Sequence, residues 1–193
     1  MKLIGKKYFG FIVVAIAVLL TLGVDAFAQK QKTVQISATS MGTGTQMGRM
    51  INIDLIINEY STADDQKALL DAFAEKGSEG LVNAVEKMSS KGRIRITGTL
   101  GFDVNYIREF KMADGSRKIR FVTDRPIAFA ESWGSTRSMD YSLSMGEIII
   151  SKEKGKSTGT LMPAAKLKLN KEEGLEIEAL QNPWNLANIK VWK

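Results

Sequence analysis

The residue types that carry most protein chemistry are missing from this chain. It has no histidine and no cysteine. Their absence removes the Ser-His-Asp triad, the Cys-His dyad and the imidazole general base. It also removes zinc sites built on His and Cys. Carboxylate chemistry, lysine chemistry, hard-cation binding by oxygen ligands, or no chemistry remain. No catalytic residue and no metal ligand stands out, and no cofactor is expected. This balance favours a binding or structural module over an enzyme.

The densest grouping of reactive types is "TDRPIAFAESWGSTRSMD", residues 123–140. It holds Asp124, Arg125, Glu131, Trp133, Arg137 and Asp140 around one proline and one glycine. Loops that mix Trp, Arg and carboxylates recognise ligands, so Asp124, Arg125, Glu131, Trp133 and Arg137 are the candidate binding residues. The competing reading is an internal ion-pair cluster closing one end of a sheet, with Trp133 as a core plug. On either reading Arg125, Glu131, Trp133 and Arg137 lie together, and Arg125, beside Pro126 in an apolar run, is expected to bury its stem. A carboxylate-dependent hydrolase would pair Glu131 with Asp140 or Asp124. With 21 acidic residues in the chain, some such pair can always be drawn. Trp184 and Trp192 would make a sugar-stacking platform with Trp133, but aromatics this far apart in sequence more often fill a core or cap a barrel.

"MGTGTQMGRM", residues 41–50, imitates two motifs. Gly42, Gly44 and Gly48 are one residue too widely spaced for the dinucleotide fingerprint, and a strand pattern follows where a phosphate-binding helix would have to begin. Met41, Met47 and Met50 offer soft thioethers of the kind that hold Cu(I), but their spacing is irregular. The segment reads as a glycine-rich strand or hairpin.

The surrounding pattern is mainly β. Val34, Ile36 and Ala38 alternate, then Ile51, Ile53, Leu55 and Ile57 form a second apolar face. Helical period follows over about 62–90. Ser61 or Thr62 is placed to cap, Asp64 and Asp65 sit in the first turn, and Gly77 reads as a stop between two helices. The expectation is a two-helix hairpin inserted after an early strand, with Leu69, Leu70 and Phe73 as the face of the first helix and Leu81, Val82, Val85 and Met88 as the buried stripe of the second. From Arg93 onward β alternation resumes. The even positions Ile94, Ile96, Gly98, Leu100, Phe102 and Val104 read as one face, "ADGS" marks a hairpin, and "PIAFAESW", the alternation Met139, Tyr141, Leu143 and Met145 extended by "GEIIIS", "LMPAAKLKLN", "GLEIEAL" and "ANIKVWK" are further strands. An antiparallel meander of this kind closes into a barrel or folds into a sandwich.

The first 28 residues read as a secretory signal peptide: Lys2, Lys6 and Lys7, an uncharged run over 8–24, then Ala26-Phe27-Ala28. Cleavage is expected before Gln29, leaving one domain over 29–193, periplasmic or secreted, with no stable membrane insertion after cleavage. The net charge of +6 is scattered along the chain and gives no reason to expect nucleic acid. The partner expected is a small molecule, a glycan or a protein. A small outer-membrane barrel is a further alternative on the strand alternation.

The blocks "YSTADDQKALLDAFAEKGSEGLVNAVEKM", "GRIRITGTLGFDVNY", "IRFVTDRPIAFAESW" and "RSMDYSLSMGEIIIS" together resemble a family of small secreted bacterial proteins with no assigned function. The resemblance covers about 51–169. It implies a single exported domain and brings no substrate, cofactor or catalytic residue with it.

Overall fold

The computed structural model describes residues 32–44, 47–127, 142–170, 174–179 and 182–192, with backbone alone over 166–170 and 174–179. The N-terminal segment expected to be a signal peptide, Glu131, Trp133, Arg137 and Asp140 lie outside the described residues, as does most of "PIAFAESW".

Nine described strands run β1 (Val34–Met41), β2 (Met50–Ile57), β3 (Gly92–Ile96), β4 (Phe102–Lys111), β5 (Arg117–Thr123), β6 (Leu143–Ile150), β7 (Thr158–Asn170), β8 (Gly174–Ala179) and β9 (Trp184–Trp192). Each pairs antiparallel with its neighbours in the order β6-β5-β4-β3-β2-β1-β9-β7-β8, and β6 also pairs with β7. That extra pairing closes eight strands into a barrel. β8 continues the outer half of β7 as a hairpin, Ala165 opposite Ala179 and Asn170 opposite Gly174. A barrel, rather than a sandwich, is therefore the outcome.

Parity decides what faces inward. Ile36 and Ala38 of β1, Ile53, Leu55 and Ile57 of β2, Phe121 of β5 and Trp184 of β9 belong to one buried cluster. Eight strands enclose a space that side chains alone can fill. Even a glycine is used to fit them: a Cβ on Gly146 of β6 would lie 2.1 Å from Cζ of Phe121. A bulge between Val104 and Tyr106 shifts the parity of β4, so Val104 and Ile107 both point inward while Tyr106 turns out. Pro163, inside β7, sits where that edge changes partner, after the β9 pairing ends at Leu161 and before the β8 pairing begins at Ala165. A residue without an N–H fits there.

The expected two-helix hairpin is corrected to one helix, α1, Ala63–Lys87. Gly77 does not adopt the left-handed geometry of a helix stop. Its φ of 60° comes with ψ of −142°, so it kinks the element at Lys76–Gly77 and the helix resumes. The kink is tight enough that a Cβ on Gly80 would meet the Ala72 carbonyl at 2.2 Å. Thr62 is the N-cap: its Oγ1 accepts from the Asp65 N–H at 3.1 Å, and Asp65 Oδ2 accepts from the Thr62 N–H at 2.7 Å. This reciprocal box satisfies two helix-end donors. The backbone hydrogen bond from Thr62, chiefly, holds the Asp65 carboxyl below its usual range against the opposing effect of burial. Ser61, the other expected cap, instead ties the chain to β4 through its N–H to the Ile107 carbonyl at 2.6 Å and its Oγ to the Ile107 N–H at 3.0 Å. At the far end the Met88 carbonyl accepts from Asn105 Nδ2 at 2.9 Å.

α1 lies on the outside of the barrel. Leu69, Phe73, Leu81 and Val85 form a second buried cluster with Leu143 and Met145 of β6 and Ala165 of β7, and Tyr106 and Val122 pack against it. Where α1 lies on β4 to β7 the outward parity is apolar, with Tyr106, Val122, Met145 and Met162, and farther along the same parity carries the cross-strand row Arg108, Arg120 and Glu147. The outward parity of β9, β1, β2 and β3 is mainly polar, and among the described residues no helix lies on it.

Candidate ligand cleft at one end of the barrel

At the end where β3 turns into β4, a cleft of about 380 Å³ is lined by Ile94, Ile96, Thr99, Leu100, Phe102 and Ile127, with Arg95 and Gly101 beside them. Ile94 and Phe102 are paired across β3 and β4, so their inward side chains make one wall. The 97–101 turn makes the rim. The Thr99 N–H and Oγ1 both donate to the Ile96 carbonyl at 2.9 Å. Gly98 and Gly101 supply φ values of 90° and 75°, which other residues rarely adopt. Gly101 also passes so close to β3 that a Cβ would lie 2.2 Å from the Ile94 carbonyl oxygen. The turn therefore needs glycine at 101 on two counts. It holds Leu100 out at the rim, 82% exposed.

Ile127 comes from the candidate segment 123–140, and a buried polar knot places it. Thr123 and Ser144 are fully buried. Thr123 Oγ1 donates to the Arg125 carbonyl at 2.5 Å and accepts from the Ser144 N–H at 3.0 Å. Ser144 Oγ lies 2.5 Å from the Pro163 carbonyl and accepts from the Ile127 N–H at 2.6 Å. That N–H also points at the Pro163 carbonyl, 2.9 Å away. The chain leaving β5 is thus stitched to β6 and β7, and Ile127 turns into the core.

The candidate residues fall differently. Asp124 and Arg125 form a two-pronged pair with each other, Nε to Oδ1 at 2.9 Å and Nη2 to Oδ2 at 2.8 Å. The hydrogen bonds and charge of Asp124 raise the pKa of the Arg125 guanidinium further, which keeps it charged. The expectation that Arg125 buries its stem is corrected: its side chain is 62% exposed, because Ile127 rather than Arg125 occupies the inward position. Neither Asp124 nor Arg125 lines the cleft. Glu131, Trp133 and Arg137 lie outside the described residues.

Sequence reasoning missed the cleft because it read 94–104 as one uninterrupted face. The even parity is real, but it spans a turn. The signal was present in "TGTLG": an apolar residue held between glycines has no strand to belong to. Of the two other tryptophans, Trp184 fills the barrel interior and is 1% exposed, while Trp192 stands on the outer face and is 56% exposed. They do not form one platform. Met47, in the β1–β2 connection that Gly44 and Gly48 bend with φ of 59° and 88°, and Met50, at the start of β2, are also exposed, at 80% and 70%.

The described residues hold no group of three His, Cys, Asp or Glu side chains placed to bind a metal. Comparison with protein-family models, with curated proteins and with solved structures found no match. What the geometry defines is a closed antiparallel barrel with an apolar opening at one end.

Proposed function

We propose that this chain is an exported, non-catalytic binding module that takes a compact apolar group at the β3–β4 end of the barrel. The observation that carries this reading is the cleft itself: apolar on its floor, rimmed by a leucine held in water by a turn that only glycines can make. Concave, largely apolar openings of a few hundred Å³ are where small molecules bind. An exposed large apolar side chain beside one has a use when a ligand covers it. The segment flagged in the sequence contributes through Ile127 and the knot around Ser144.

Export rests on the charged start, the apolar run and Ala26-Phe27-Ala28, and it agrees with the resemblance to small secreted bacterial proteins. N-terminal sequencing of the exported product is expected to begin at Gln29 or within a few residues; a product still beginning at Met1 would remove this part. The polarity of the barrel argues against the outer-membrane alternative. Membrane barrels are apolar outside and polar inside, whereas here Ile, Phe and Trp face inward and the uncovered outer side carries Asp54, Arg95 and Lys190.

The binding reading is tested with the uncharged fluorophore N-phenyl-1-naphthylamine. The wild-type chain is expected to bind it with enhanced emission. Leu100→Glu is expected to weaken binding roughly tenfold, the equivalent of about 1.4 kcal/mol, close to what one apolar side chain contributes when covered. Leu100 is exposed, so the variant folds, and an unchanged thermal melt verifies this. Equal binding by wild type and variant, or none by wild type, would overturn the assignment.

A further inference from the structure

The outer flank of the barrel on which no described element lies holds a second arrangement, which shares only Arg95 with the edge of the cleft. Lys190 of β9, Ser37 of β1, Asp54 of β2 and Arg95 of β3 are direct cross-strand partners in one row. Trp192 sits two residues further along β9, opposite Gln35. Its Nε1–H donates to Ser37 Oγ at 3.2 Å, and Ser37 Oγ donates in turn to Asp54 Oδ1 at 2.8 Å. To reach Ser37, its diagonal rather than its direct neighbour, the indole has to lean along the sheet. It is fixed there with more than half its surface in water.

Asp54 is unusual for a sheet face that no described helix covers, because it is 3% exposed. Burial pushes its carboxyl up, but hydrogen bonds from Ser37, Gln35 and Thr97 and the charge of Arg95 outweigh this and hold it below its ordinary value. The carboxylate thus stays ionised at the centre of the row. It fixes Ser37 on one side and Arg95 on the other, whose Nε lies 3.4 Å from Oδ2 without a hydrogen bond among the described residues. The next row adds Thr39, which donates to Asn52 Oδ1 at 3.2 Å, with Asn188 Nδ2 at 3.5 Å from its Oγ1.

We propose that this flank is a second binding site and that its ligand is an oligosaccharide. A sugar ring has one face of C–H groups and a rim of hydroxyls. The first suits an oriented, exposed indole, and the second suits amides, hydroxyls and a guanidinium already held in place. Four strands at about 4.8 Å spacing give a convex strip, following the curve of the barrel, long enough for a short chain of rings. A protein partner fits less well, because interface centres need apolar or aromatic anchors in pockets and this strip offers one aromatic on a polar plane. Nucleic acid fits less well too, because Lys190 and Arg95 exceed Asp54 by a single positive charge, too few for phosphate-driven binding.

The test is a glycan microarray spanning neutral, amino and uronic-acid oligosaccharides, probed with the wild-type chain, Trp192→Ala and Leu100→Glu, with thermal melts as fold controls. The wild type is expected to bind a restricted set of glycans, Trp192→Ala to lose that binding at least roughly tenfold, and Leu100→Glu to keep it. Binding that Trp192→Ala retains, or no glycan bound by the wild type, would overturn the proposal. Loss in Leu100→Glu but not in Trp192→Ala would move the sugar to the cleft and overturn it as well.

Discussion

Two flanks of one barrel obey the same backbone rule with opposite results. On β4 to β7, the outward side chains include Tyr106, Val122, Met145 and Met162, and α1 lies on them. On β9 to β3, they include Lys190, Ser37, Asp54 and Arg95, and no described element lies on them. Strand alternation places a side chain outward but does not say what it meets there. The covered flank is a second core, and its residues act on stability. The bare flank has a buried carboxylate and a pinned tryptophan in open water, an arrangement that contributes little packing and orders polar groups.

Substitutions separate the two. Phe73→Ala, on the covered flank, is expected to cost about 3–5 kcal/mol, as deletion of a buried ring does, seen as a lower urea midpoint with one transition. Val85→Ala, fully buried in the same cluster, is expected to cost about 1–3 kcal/mol. An unchanged melt for either would mean that α1 is not part of the folded core.

Acid acts on a carboxylate of each flank. The Asp54 pKa in the folded chain lies below its ordinary 3.8. Its stabilising contribution is therefore complete above about pH 3.8 and is lost as pH falls through the lower folded value. Asp65 of the capping box has the same sign. Asp54→Asn is expected to flatten, but not abolish, the loss of stability on acidification, read by urea melts at stepped pH. A variant with the wild-type acid slope would show that Asp54 is not held ionised by its neighbours.

The smallest effect belongs to the exposed pair. Arg125→Ala is expected to change stability by less than about 1 kcal/mol, as solvent-screened ion pairs do. A loss of several kcal/mol would indicate that its guanidinium is buried against groups beyond Asp124.

The sequence was most legible where information is local. The faces of β1 and β2, the Asp114-Gly115 turn between β4 and β5, and the Thr62 cap can all be read over a few residues. Asp114 Oδ1 does accept from the Ser116 N–H at 2.8 Å, as such a turn requires. Closure was not legible, because it depends on β1 meeting β9 across most of the chain, Gln35 opposite Trp192. The kink at Gly77 was misread because a glycine after a helical run signals a stop only if its ψ follows. The cleft was hidden because Ile127 reaches it through hydrogen bonds to Ser144 and Pro163, partners far away in sequence. Asp54 looked like an ordinary polar position between Ile53 and Leu55, and nothing in its neighbours revealed that it would be buried on the outer side.

The account stands most directly on a comparison of two aromatic truncations. Phe73→Ala and Trp192→Ala each delete a large ring outside the barrel wall, one from the buried face of α1 and one in water. Urea denaturation of both against the wild type is expected to show a loss of about 3–5 kcal/mol for Phe73→Ala and less than about 1 kcal/mol for Trp192→Ala, as for surface substitutions of little packing. Equal losses would contradict the division of the barrel into a flank that holds the fold and a flank free to recognise a ligand.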